Sequence, residues 1–135
     1  MAADGGDSDR VSHRAVIAFN DAINRRDLDS LRELMADGHA FIDSDDNVLA
    51  GKAEVLEAWK DFFSAFPDYR NDWSRVIRVR GTLIAVGRSV CSTEPVLAGP
   101  AIWTARTVGA KVAEWRVYED TPANRRRLLI GEESD

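Results

Sequence analysis

The chain has 135 residues, a formal net charge of −5 and a composition that is 44% hydrophobic and 30% charged, a size that suits one domain with a core of its own. A lone cysteine, Cys91, excludes an intramolecular disulfide, and with only His13 and His39 beside it there is no zinc-type spacing, so neither a metal nor a cofactor is expected. The basic residues are scattered apart from Arg125, Arg126 and Arg127, which read as a solvated helix face, and Met1 to Asp9 lacks both a basic region and an apolar run. Nucleic acid and membrane are therefore not expected partners, and a cytoplasmic location is the default.

Residues 1–10 are small, polar and acidic and read as a disordered tail, with the domain at 11–130 and a second tail at 131–135. Ser12 is placed to cap a first helix, along which Val16, Phe19, Ala22 and Ile23 recur at helical spacing. Asp27 is placed to cap a second, carrying Leu28, Leu31, Leu34 and Met35 inward and stopped by Asp37 and Gly38. His39 to Asp43 reads as a short strand, and the polar turn Ser44 to Asn47 leads into a second extended run, Val48 to Ala50. Val55, Leu56, Trp59, Phe62, Phe63 and Phe66 define a third helix with an aromatic face, which Pro67 terminates. From Tyr69 the period changes. Runs at 72–80, 82–92, 100–108 and 111–119, broken by Gly81, a loop from Thr93 to Gly99, and Gly109-Ala110, predict four sequential antiparallel strands. Thr121 and Pro122 open a short C-terminal turn that carries Leu128 and Leu129. The fold class is α+β, with two or three N-terminal helices packed against a curved, mostly antiparallel sheet.

This element order, with the stretches Phe19 to Asp29, Ala36 to Asp43 and Lys111 to Asp120, resembles the nuclear transport factor 2-like superfamily and its SnoaL-like branch. The resemblance implies a cystatin-like cone with the helices on its concave face, and cofactor-independent acid-base chemistry on a small hydrophobic molecule. Isomerase, cyclase, dehydratase and hydrolase types all stay open. It also implies a homodimer through the outer sheet face. The first two stretches are similar to the start of ketosteroid isomerases, and the ungapped match from Asp27-Leu28-Asp29 carries that family's general base onto Asp43. Their helix tyrosine falls on Phe19 and their strand acid on Ile102 or Trp103, so isomerisation of that kind is disfavoured. The run from Trp115 to Asp120 is similar to limonene epoxide hydrolases, with Val117 where those carry an acid. A cyclase using a pocket acid for aldol closure, and a non-catalytic binding or dimerisation module, remain beside these.

Asp43 shares strand parity with Phe41 and His39, so an inward Phe41 puts Asp43 inward too, where desolvation would raise its pKa toward neutrality. Its plain role is to start the following turn. His39 is a second candidate for proton sharing, against a structural role after a helix-stop glycine. Glu119 shares parity with Trp115 and would add a second carboxylate to divide acid and base roles, against a solvated strand end. Arg88, mid-strand, would favour an anionic ligand if it faced inward. Trp59, Trp73, Trp103 and Trp115, with Phe19 and Phe63, are candidates to line a hydrophobic pocket, against core or interface packing. No nucleophile motif, phosphate-binding loop or dinucleotide fingerprint is present.

Overall fold

The computed structural model describes the backbone of residues 2–131 and side chains from residue 8 onward; Met1 and residues 132–135 of the C-terminal tail lie outside the described residues. The elements run α1 (Ala2–Arg25), α2 (Leu28–Leu34), β1 (Met35–Ile42), β2 (Val48–Ala50), α3 (Lys52–Ala65), β3 (Arg70–Val79) and β4 (Thr82–Val90). A 3₁₀ turn (Pro95–Leu97), β5 (Gly99–Val108), β6 (Lys111–Glu119) and α4 (Pro122–Arg127) complete the chain.

The first helix begins at Ala2, so the segment read as a tail is helical from there. Arg78 on β3 holds its later part, donating to the Asp9 carbonyl at 2.8 Å and facing its carboxylate at 3.6 Å. Asp27 caps α2 as its side-chain chemistry dictates, accepting from the Ser30 amide at 3.1 Å and the Ser30 hydroxyl at 2.8 Å. The helix ends at Leu34, sooner than the Asp37-Gly38 stop, because Met35 turns extended and enters the sheet opposite Val112.

Six strands form one sheet in the order β2-β1-β6-β5-β4-β3, antiparallel throughout except where β1 lies parallel to β6. The register shifts between Met35 and Ala40, between Trp73 and Arg75, and between Arg106 and Thr107. Each irregularity bends its strand and increases the local twist, so the sheet curls around the helices. This is an α+β cone of the cystatin and nuclear transport factor 2 type. At the second bulge the backbones of β3 and β4 approach so closely that only Gly87 fits: a Cβ there would lie 2.1 Å from the Asp72 carbonyl oxygen and 2.8 Å from Trp73 Cα.

Two apolar clusters result. The inner one joins Val16, Phe19 and Ile23 of α1 to Trp59 of α3 and to Trp103, Val112 and Trp115 of the sheet. The outer one holds Ile84, Val86, Ile102 and Tyr118, with Leu128 and Ile130 folded back upon it. Leu129, on the C-terminal turn with Leu128, is 57% exposed, because its positive φ of 65° turns the chain and presents Ile130 to the sheet. Arg125 also departs from the solvated reading of the arginine triplet. It is buried, pairs with both Asp120 oxygens at 2.6 and 2.7 Å, and donates to the Gly131 carbonyl at 2.8 Å. Among the described residues, no helix is long and apolar enough to cross a membrane.

Gly87→Ala is expected to lower unfolding free energy by at least about 1–3 kcal/mol, the usual cost of forcing atoms into a packed site. Gly38→Ala, with nothing within 4 Å of the added carbon, should sit within about 0.5 kcal/mol of wild type. Urea denaturation of the two variants checks the contrast.

Candidate functional site

Between α3, the inner face of the sheet and the β4–β5 loop lies a cavity of about 680 Å³. Its wall is aromatic and apolar: Phe41 from β1, Trp59 and Phe62 from α3, Trp103 from β5, and Trp115 and Val117 from β6. Tyr69, Asn71 and Ser89 add neutral polar groups, while Asp43, Glu119 and Asp120 add carboxylates. Among the described residues, no lysine, arginine or histidine lines it.

Asp43 reaches the cavity because it ends β1 on the same face as Phe41. Its carboxylate is also the keystone of the β1–β2 turn. Oδ1 accepts from the Asp45 amide at 2.9 Å and the Asn47 amide at 3.0 Å, and Oδ2 accepts from Asn47 Nδ2 at 3.1 Å. Desolvation pushes its pKa up, but the bonds from Asn47 and Asp45 together outweigh it and hold the carboxyl below its ordinary value. The direction is thus opposite to the one that desolvation alone implies.

Glu119 lies on the cavity lining beside Asp120 but is exposed to solvent. Trp59, Trp103 and Trp115 all line the cavity. Phe19 and Phe63 do not: Phe63 stacks behind Trp59 at 5.4 Å, and Phe19 backs Trp115 at 4.6 Å. Trp73 stacks on Trp115 at 5.7 Å, is not part of this cavity's lining, and borders a separate hollow together with Arg88. Arg88 is exposed there, because its position pairs with Pro100 on the convex side of the β4–β5 ladder, so the anionic-ligand reading loses its cation.

His39 is fully buried and outside the cavity lining. Its ring stacks on Phe19 at 5.4 Å, and Nδ1 lies 2.7 Å from the Val112 carbonyl, which can only accept, so Nδ1 carries the proton. The bond falls where the β1–β6 register breaks, and the side chain fills the gap in the ladder. Burial lowers the His39 pKa, opposed by the bond to Val112, and the ring is a neutral structural group.

Sequence reasoning passed over Asn71 and Tyr69. Asn24 clamps the Asn71 backbone at both ends, donating to its carbonyl and accepting from its amide at 2.9 Å each, and Asn71 Nδ2 donates to Asn20 Oδ1 at 3.0 Å. Two asparagines four residues apart on the apolar stripe of α1 were the available signal. Burial pushes the Tyr69 phenol up to about 12, with its hydrogen bond to Ser89 opposing, so it stays protonated.

The curved sheet and three N-terminal helices bordering this cavity make up the nuclear transport factor 2-like fold. The SnoaL-like domain family matches residues 16–125, and the chain belongs to it. No curated protein matches it in sequence. Similar solved structures include a candidate SnoaL-like polyketide cyclase from Shewanella putrefaciens, 12% identical with a TM-score of 0.71 over 87% of this chain and 85% of that one. An LEH-like epoxide hydrolase from M. tuberculosis is 13% identical with a TM-score of 0.70, over 82% and 79% of the two chains. A SnoaL-like protein of unknown function from Burkholderia thailandensis is 17% identical with a TM-score of 0.67, over 81% and 94%. At these identities the likeness is one of fold.

His39 makes stability depend on pH. Its folded pKa lies below the unfolded value of 6.5, so as pH falls through 6.5 the unfolded chain takes up a proton that the folded chain refuses, and stability drops. His39→Gln, which keeps a donor for Val112 but cannot titrate, should flatten that loss between pH 8 and pH 5, measured by denaturation at each pH.

Proposed function

We propose that the chain binds a small hydrophobic molecule in the aromatic cavity and performs cofactor-independent acid-base chemistry on it, of isomerase, cyclase, dehydratase or hydrolase type, with Asp43 as the base. The observation that supports this is the Asp43 carboxylate in the wall of a largely apolar, aromatic cavity. Oδ2 accepts a single hydrogen bond and keeps a lone pair for a ligand proton. The donors that hold Asp43 also make it a weak base that stays ionised well into acid. It therefore suits a substrate with an already acidified proton, or one that develops positive charge in the transition state. Glu119, on the same lining, is placed to relay protons to solvent.

With a substrate found by screening a metabolite library, Asp43→Asn is expected to lose about 10²-fold or more in turnover while keeping fold and ligand affinity, since asparagine can still accept at the turn. In wild type the acid limb of the rate profile should fall below the ordinary carboxylate range, because the group is lost only as pH drops through its depressed folded pKa. Full turnover in the variant removes the acid-base role.

A second reading, a non-catalytic binding module, draws on the three hydrogen bonds that already occupy Asp43 in the turn. It expects saturable binding, no turnover of any bound compound and no effect of Asp43→Asn on affinity. Both readings carry a homodimer through the outer sheet face, supported by the half-buried Ile77 and Val79 beside the outer cluster. Sedimentation at micromolar concentration tests it, and a monomer counts against it.

A further inference from the structure

Asn71 is only 2% exposed, lies in the cavity wall, and its Oδ1 has no hydrogen-bond partner. Its other polar atoms are taken. The backbone amide and carbonyl are paired with Asn24, and Nδ2 is given to Asn20. Three bonds to α1 therefore fix the amide and leave Oδ1 as its one free acceptor. An unpaired buried carbonyl is costly, and a donor that reached it from the cavity would complete it. The indole N–H groups of Trp59 and Trp115, also in the wall, are buried donors without partners. Charge narrows the choice further. With no cation on the lining among the described residues and Asp43 and Glu119 both on it, an anionic ligand would meet carboxylates with nothing to offset them.

Resting on the pocket reading above, we propose that Asn71 is the specificity-determining residue of the cavity and that the ligand is an uncharged, largely apolar molecule bearing a hydroxyl group. A hydroxyl donates to Asn71 Oδ1 and can accept from an indole N–H at the same time, whereas a ketone, ether or carboxylate leaves the Asn71 oxygen unmet. The neutral donor class follows from these residues and is independent of whether Asp43 is catalytic.

Calorimetric titration of the purified chain at neutral pH with naphthol, methoxynaphthalene and naphthoate tests this. All three share one apolar body and differ in offering a donor, no donor or a negative charge. Naphthol should bind about tenfold more tightly than methoxynaphthalene, and naphthoate more weakly than either. Asn71→Leu should reduce naphthol to the affinity of methoxynaphthalene and leave the latter unchanged. Equal affinities for naphthol and methoxynaphthalene in wild type, tighter naphthoate, or a hydroxyl preference that survives in Asn71→Leu would overturn the assignment while the apolar pocket stands. No binding of any of the three would remove the pocket reading and this inference with it. Should Asn71→Leu fail to fold, Asn71→Ser, which also removes the amide oxygen, takes its place, and equal wild-type affinities for naphthol and methoxynaphthalene still overturn the assignment.

Discussion

Trp115 is where the architecture closes. It lies in the middle of β6, fully buried, with Phe41 of β1 beside it on one ladder and Ala105 of β5 on the other. Its ring contacts both Phe19 of the first helix and Trp73 of the edge strand, so elements from both halves of the chain and the last long strand meet on one side chain. An indole of this kind buries about 150–250 Å². One of the two strand neighbours of each large ring is small: Ala105 faces Trp115, and Ala85 faces Trp103. That alternation leaves space inside the curve for the rings and for the cavity they border. A sheet with large residues at every inner position would fill its own hollow.

The helices and antiparallel strands were legible because each is a local periodic pattern, and a period of two or of 3.6 residues reports its own buried face. The pairing of β1 with β6 was not legible, since a parallel contact between residues some 75 positions apart leaves no local trace. Parity correctly grouped His39, Phe41 and Asp43 on one face. Parity carries no information on depth, however, and His39 sits beneath Phe19 while the other two reach the cavity. Arg125 was hidden among three like residues, and only the approach of Asp120 distinguishes it from its exposed neighbours.

Asp43 shows how a correct placement can still carry the wrong electrostatics. Sequence offered two roles, pocket acid or turn initiator, as alternatives. In the fold the same residue lines the cavity, and its oxygens collect donors from the turn at Asp45 and Asn47. Burial and hydrogen bonding act on its pKa with opposite signs, and the sum follows the donors. Asn20 and Asn24 of α1 are the polar contacts that fix Asn71 where β3 passes the helix.

The mouth of the cavity and the outer face of the sheet are mechanically one unit. Asp120 borders the cavity and takes both of its bonds from Arg125 of α4, whose guanidinium also holds Gly131. Ile130, one residue before that contact, is the side chain that closes over Ile102 and its neighbours. A buried, bidentate ion pair contributes little net stability compared with an apolar replacement, because its attraction is offset by desolvation. What it supplies is direction: two fixed bonds set where the chain leaves β6 and therefore where the covering segment lands. The same pairing offsets the Asp120 charge at the mouth, which leaves Asp43 and Glu119 as the lining carboxylates not held by an arginine.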